Sequence, residues 1–437
     1  GMVVNQAIRA NHAKLFVVAD KTGKLSKLPE SKTLLAEPGM EVNVLNAIAS
    51  VLIEEKLAVT DGVSGLDELK KALSKYAPDK VASETGVSAD AIREAARALA
   101  SAKKSAILLA YGLPYTAQSK ELAVAAANLA ILIGNAGREG SGLFLCGEKA
   151  NSQGAIDLGI LPAKGAMGAQ AMLEAAADDK LSALYILGED PISSYPDRTK
   201  IESALDKASF VVVQDLFLSP TAAKADVVFP AVSFAEKEGT FTNAERRIQR
   251  LHPGISSPGE AKSDLVILEK LLAKLGAQVS YTGPAAIFAA VTASVPGYQG
   301  IDFNAIGPQG AVWGGENLQV AKKNVVAVEG AKVVKGKYRM VTGSALYHSG
   351  TLSTHASGPL AVVPEPYVEL GREDAKALKV VEGDMVVVKA ANGEMKLKAK
   401  VANRLPKGLV FVPYHFVGAG LNRIYRGESV IPVELSK

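Results

Sequence analysis

Short aliphatic runs that stop at a polar residue or a glycine recur up to about residue 276, with helical periodicity between them. The runs are Leu15 to Asp20, Ser105 to Gly112, Ala183 to Gly188, Phe210 to Asp215 and Asp226 to Pro230. Near-continuous apolarity over a few residues, rather than strict alternation, is what a parallel strand buried on both faces requires. Among the helical stretches, Ser88 precedes a segment that puts Ile92, Ala95, Ala96 and Leu99 on one face, and Val42 to Lys56 turns Leu45, Ile48 and Leu52 inward. Ser64 to Tyr76 opens with Ser-x-x-Asp, and Ser263 to Leu275 stops at Gly276. Alternating strand and helix predict a doubly wound α/β architecture.

The pattern then changes. Residues 296 to 336 carry Pro, Gly and Asn with little periodicity, followed by Lys322, Lys323, Lys332, Lys335, Lys337 and Arg339 against Glu329, so we expect an irregular linker over 277–334, exposed between about 300 and 336. From 337 onward the runs are β-like: Tyr338 to Thr342, Tyr367 to Leu370, Met385 to Lys389, Met395 to Val401 and Leu409 to Pro413, with Asn392-Gly393 as a hairpin turn. The expected layout is an α/β domain at 1–180, a second α/β portion at 181–276, the linker, and a compact β domain at 335–437. That last part carries 15 Lys and Arg against 9 Asp and Glu, a basic surface open to an anionic ligand or an acidic partner.

Composition removes several classes. With 48% apolar and 22% charged residues the chain is globular rather than disordered. The longest apolar run, Leu122 to Ile133, is interrupted by Asn128 and falls short of the roughly 20 residues that span a bilayer, so no membrane insertion is expected. A net charge of +4 without a basic recognition motif argues against a nucleic-acid partner. A single cysteine, Cys146, excludes an intrachain disulfide or a cysteine-clustered metal site, fits a reducing cytosol, and is expected to be a buried small hydrophobe. The five histidines lack the i, i+4 spacing of a helical metal site. Gly137 to Gly142 follows a helix rather than a strand, and Gly330 to Lys337 misses the P-loop pattern, so neither is a phosphate loop. Glu236, Glu238 and Glu245 read as solvated charge. Gly1 before Met2 has the look of a cleaved tag, and the chain enters as if midway through a βαβ unit, which leads us to expect a longer parent polypeptide.

Ligands of open α/β sheets bind beyond the carboxyl ends of the strands. Three such ends carry acids: Asp20, Glu189 with Asp190, and Asp215 after Gln214. Carboxylates there suit ribose hydroxyls or the amino group of a guanine or pterin. Gly188 lets backbone approach a ligand, and Pro191 fixes the turn.

Several motifs, in order, resemble the molybdopterin oxidoreductase family. They are Asn151-Ser152-Gln153-Gly154-Ala155-Ile156-Asp157-Leu158-Gly159, Gly188-Glu189-Asp190-Pro191, Gln214-Asp215, Ala225-Asp226-Val227-Val228-Phe229-Pro230 and Glu238-Gly239-Thr240-Phe241-Thr242-Asn243. Asp374-Ala375, Glu382-Gly383-Asp384, Pro406-Lys407-Gly408 and Asn422 are similar to the molybdopterin dinucleotide-binding domain, a double-psi β-barrel. The resemblance covers essentially the whole chain. It implies nucleotide-binding-like domains of the formate dehydrogenase and DMSO reductase type, followed by the barrel. The iron-sulfur clusters and the metal ligand would lie upstream. Asp20, Gly188, Glu189, Asp190, Gln214, Asp215 and Asn422 would be the positions facing molybdopterin guanine dinucleotide, either working or vestigial. No catalytic residue and no metal ligand is implied within the chain.

Within the family, Tyr347-His348-Ser349-Gly350-Thr351-Leu352-Ser353 and Glu365-Pro366-Tyr367-Val368 look most like the C-terminal part of the large iron-sulfur (G) subunit of bacterial NADH-quinone oxidoreductase, respiratory complex I. Lys21-Thr22-Gly23 stands where the family commonly has a Pro-Arg pair that helps to hold a dinucleotide. This resemblance implies a scaffold and interface role, inactive by itself and without its own cofactor. The partners would be other peripheral-arm subunits, on the cytoplasmic side and peripheral to the inner membrane. The alternatives are the same portion of a molybdopterin-dependent enzyme such as formate dehydrogenase or nitrate reductase, and a free-standing nucleotide- or pterin-binding module.

Overall fold

A computed structural model describes residues 2–110, 118–147, 149–278, 281–313, 322–348 and 350–437. Gly1, the end of the Ser105 to Gly112 run and Ser349 lie outside the described residues. The chain divides into two compact units, 1–146 with 319–437, and 147–318. These divisions run along different lines from the sequence boundaries at 180, 276 and 334.

The α/β part of the first unit contains two parallel strand pairs, Leu15–Ala19 with Ser31–Leu35 and Ala106–Ala110 with Gly142–Cys146. Its central helix, Glu41–Glu54, buries Val42, Val44, Ala47, Ile48, Val51 and Leu52 on several sides, because other helices pack around it. Ser88 caps the helix Ala89–Ser101 by accepting from the Ala91 amide at 3.2 Å, as its position before the periodic run predicts.

Buried asparagines do unexpected work in this core. Asn43 and Asn46 donate to the carbonyls of Ala331 and Val328 at 3.1 Å each. Asn128, the interruption in the apolar run, donates to Val326 O at 2.7 Å and accepts from Val326 N at 3.0 Å. Gly330 lies so close that a Cβ there would fall 2.0 Å from Asn43 Oδ1, and its amide donates to Tyr76 Oη at 2.7 Å. Residues 325–331 are irregular and leave Val326, Ala327 and Glu329 exposed, yet they are strapped to the α/β core with Val325 buried, an anchoring that the sequence reading lacks. The physical reason is that side chains of distant helices satisfy their backbone, which leaves no local periodicity to read.

The C-terminal part of this unit is a closed six-stranded barrel in the order Tyr338–Gly343, Leu409–Pro413, Tyr367–Gly371, Gly393–Ala402, Met385–Ala390 and Ile431–Ser436. Met385–Ala390 and Gly393–Ala402 form the expected hairpin, with its two-residue turn at Ala391-Asn392, one position before the Asn392-Gly393 turn read from the sequence. Ile431–Ser436 closes the barrel by pairing antiparallel with two strands at once. Met340, Val368, Leu370, Val386, Val388, Val410 and Val412 fill the interior.

The second unit holds a parallel sheet, Ala183–Leu187, Phe210–Asp215 and Val227–Pro230, against helices Ala169–Ala177 and Arg198–Lys207. A separate antiparallel sheet, Gly239–Thr242, Arg247–Leu251 and Ala311–Val312, accompanies the helix Pro284–Ser294. That helix also departs from the expected irregular linker. Its Phe288 meets Tyr298 and Phe303, and this aromatic packing orders a stretch that lacks an amphipathic stripe. Among the described residues no helix is long and apolar enough to cross a membrane.

Candidate functional site

In the second unit the strand ends bring Gly188, Glu189, Asp190, Gln214 and Asp215 together. Gly188 adopts φ +63°, the left-handed turn that suits glycine, and its amide donates to Gln214 O at 2.8 Å. Pro191 then starts the one-turn helix Pro191–Ser194, which carries two hydroxyls back to the acids. Ser194 donates to Glu189, Ser193 donates to Asp190 Oδ2, and the amide and hydroxyl of Thr221 donate to Asp190 Oδ1. Thr221 Oγ1 in turn accepts from Ile192 N at 3.1 Å.

Gln214 is fully buried. Its oxygen accepts from Tyr185 Oη at 2.6 Å and its nitrogen donates to Asp264 Oδ1 at 2.7 Å, while Lys237 neutralises the other Asp264 oxygen. Asp215 accepts from the Leu216 amide at 2.7 Å. Burial first, and then the carboxylates of Asp190 and Glu189, push the Asp215 carboxyl above its ordinary value, while hydrogen bonds from Leu216 and Ser219 pull the other way.

Asp20 and Asn422 belong to the first unit. Asp20 ends its strand in an ion pair with Lys21 at 2.8 Å, and the Lys21 ammonium lies 5.5 Å from the Phe411 ring. The partly buried Glu41 is pushed up to about 7 by burial and then by Asp20. Arg404 grips the buried Glu369 with two nitrogens. Asn422 sits buried in the short helix Leu421–Ile424.

Other groups depart from the sequence reading or carry no sign in it. Cys146 is exposed, correcting the expected buried thiol: it is the last residue of the strand Gly142–Cys146. Glu236 caps the Ser233 turn and Glu238 pairs with Arg250 at 2.6 Å. His348 and His415, 67 positions apart in sequence, stack at 4.9 Å between ring centroids. His348 Nδ1 lies 2.9 Å from Ser353 Oγ and Nε2 lies 2.9 Å from Val363 O. Both His415 nitrogens are buried without a partner among the described residues. Burial, then His348, pushes His415 down to about 4. The Tyr-His-Phe run at 414–416 is the one local sign of a core histidine.

The fold is thus an α/β body with a closed barrel, and strand-end acids occupy the position where such sheets take nucleotides. Residues 2–274 match the molybdopterin oxidoreductase family and residues 338–434 match the molydopterin dinucleotide binding domain. The chain belongs to the molybdopterin oxidoreductase family. It is 31% identical to the F420-dependent formate dehydrogenase subunit alpha of Methanocaldococcus jannaschii, over 94% of this chain and 70% of that protein. It is also 31% identical to the second NADH-quinone oxidoreductase G subunit of Rhizobium meliloti, over 99% of this chain and 52% of that one. Acetylene hydratase from Pelobacter acetylenicus shares the fold, with a TM-score of 0.80 at 16% identity, over 99% of this chain and 75% of that structure.

The family implies a pterin dinucleotide, and the polar groups present fit it poorly. Both oxygens of Asp190 and both ends of the Gln214 amide are engaged by the protein, Asp215 takes donors from Leu216 and Ser219, and Asp20 is held by Lys21. A ligand reaching Gln214 would have to displace contacts that already satisfy both ends of that buried amide.

Proposed function

We propose that this chain is the C-terminal, pterin-fold portion of the large iron-sulfur subunit of an NADH-quinone oxidoreductase, with a scaffold and interface role in respiratory electron transfer. The observation that carries the reading is that the protein itself engages both oxygens of Asp190 and both ends of the Gln214 amide. The 31% identity to an NADH-quinone oxidoreductase G subunit along nearly the whole chain supports it. In the second unit, Tyr185, Leu187 and Phe210 present an apolar surface 40–47% exposed on the strands Ala183–Leu187 and Phe210–Asp215, a face suited to a protein partner. Its partners in this reading are other peripheral-arm subunits, and its place is cytoplasmic and peripheral to the inner membrane. The barrel strands would follow the double-psi path.

A second reading has its own support. The Asp215 carboxyl, raised by burial and by two neighbouring acids, marks an acceptor-rich cluster that a guanine edge could relieve, and formate dehydrogenases match at similar identity. In that reading the chain is the same portion of a molybdopterin-dependent oxidoreductase, and Glu189 and Asp215 hold the guanine end of the dinucleotide. Calorimetric titration with GMP separates the two. The scaffold reading predicts weak binding, unchanged within about twofold by Glu189→Ala or Asp215→Ala, because neither acid would supply a net hydrogen bond. Saturable binding abolished by either substitution would favour the second reading.

A further inference from the structure

A cavity of about 190 Å³ lies within the unit 147–318, and none of the strand-end acids lines it. About 150 Å³ suffices for a benzene ring, so there is room for a ring and a small substituent. Phe288 and Phe303 pack at 5.7 Å with planes tilted by 53°, and with Ile287 and Val291 they form apolar walls.

The polar side of the cavity has a defined sense. Tyr298 Oη donates to Asp157 Oδ2 at 2.9 Å, and Gln153 holds the other oxygen of that acid at 2.7 Å. Burial above all pushes the phenol up to about 12, so it keeps its proton. A phenol has one proton to give. The 2.8 Å contact between Tyr298 Oη and Thr242 Oγ1 is therefore donated by Thr242, whose oxygen is left as an acceptor. Asn151 Oδ1 accepts from the Thr242 amide at 2.8 Å, which fixes the orientation of that side chain. Asn151 and Thr240 line the cavity, and neither the Asn151 Nδ2 nor the Thr240 hydroxyl has a protein partner among the described residues.

Donors and an acceptor thus edge an aromatic and aliphatic pocket. We propose that this cavity binds a small aromatic carboxamide, with the ring against the wall of Ile287, Phe288 and Val291, the carbonyl oxygen on Asn151 Nδ2 and Thr240, and the amide N–H on Thr242 Oγ1. A carboxylate is the poorer occupant, because it has no proton for Thr242 Oγ1. The inference stands apart from the pterin question, since it uses none of the residues weighed there.

Trp313, the one tryptophan of the chain, stacks on Tyr298 at 5.9 Å and reports occupancy. Titration with benzamide should change Trp313 emission saturably, with matching saturation transfer to the ligand in NMR. Asn151→Asp keeps the oxygen that holds the Thr242 amide but removes the donors, and should weaken binding about tenfold, the worth of one hydrogen bond. Val291→Trp fills the cavity and should abolish the response, and toluene should bind at least about tenfold more weakly than benzamide. No saturable response in the unaltered chain, equal affinity after Asn151→Asp, or toluene binding as tightly as benzamide would each overturn the assignment.

Discussion

Acidification from about pH 7 to 4 should cost the first unit roughly 3 kcal/mol through His415 alone. The ring is fully buried and stacked on His348, and burial pushes it from 6.5 down to about 4. Above 6.5 the imidazole is neutral in both states, so nothing is lost. As pH falls through 6.5 the unfolded chain binds a proton that the folded ring refuses until about 4. Stability is therefore full at high pH and declines across that window, by about 1.4 kcal/mol for each pH decade of the gap. Glu41 has the opposite sign. Its carboxyl is raised from 4.5 to about 7, so its contribution is full below 4.5 and is lost as pH rises through 7. The two effects largely cancel in the unaltered chain and must be separated. Urea denaturation at several pH values should compare Glu41→Gln with Glu41→Gln/His415→Phe, where phenylalanine retains the aromatic stack. Between about pH 7 and 4 the double variant should lose roughly 3 kcal/mol less than the single one. Parallel curves, or an NMR titration that places the His415 midpoint near 6.5, would refute the reasoning.

Glu41→Gln by itself should raise the urea midpoint above pH 7 and leave it unchanged below about 4.5, since only the ionised carboxylate carries the penalty. Gly330→Ala places a methyl group against Asn43 and should destabilise the first unit by about 1–3 kcal/mol, read from the denaturation midpoint. Asn128→Ala removes both hydrogen bonds to Val326 and should cost about 2–3 kcal/mol while speeding tryptic cleavage at Lys322 and Lys323; an unchanged cleavage rate would mean that residues 325–331 are not held as described.

What the sequence reveals depends on whether a contact is local. The five early strands read from the sequence and the Ser88 and Ser263 caps follow from contiguous residues, and the structure places them there, whereas Ser31–Leu35, Val63–Ser64 and Gly142–Cys146 escape that reading. The hairpin of Met385–Ala390 and Gly393–Ala402 is likewise legible, though its turn falls at Ala391-Asn392, one residue before the Asn-Gly pair. Ile431–Ser436 is not legible, because Pro432 lowers its strand signal and its two partners lie far upstream in the chain. The strap at 325–331 has no signal of its own, since Asn43, Asn46 and Asn128 supply its partners from helices some 200 to 290 residues earlier. The strand-end acids are legible as positions. Their engagement is not, because it depends on Thr221, Tyr185 and Asp264, which no motif ties to them.

The central claim is that the strand-end groups Asp190 and Gln214 are engaged by the protein itself. Pterin and metal content decides it most directly. The chain would be purified from cells with active pterin-dinucleotide synthesis, then assayed by oxidative pterin fluorescence and by elemental analysis for molybdenum and tungsten. The scaffold account predicts background levels of all three. One pterin dinucleotide per chain, lost on Asp215→Ala, would contradict it and make the molybdopterin-dependent oxidoreductase the better reading.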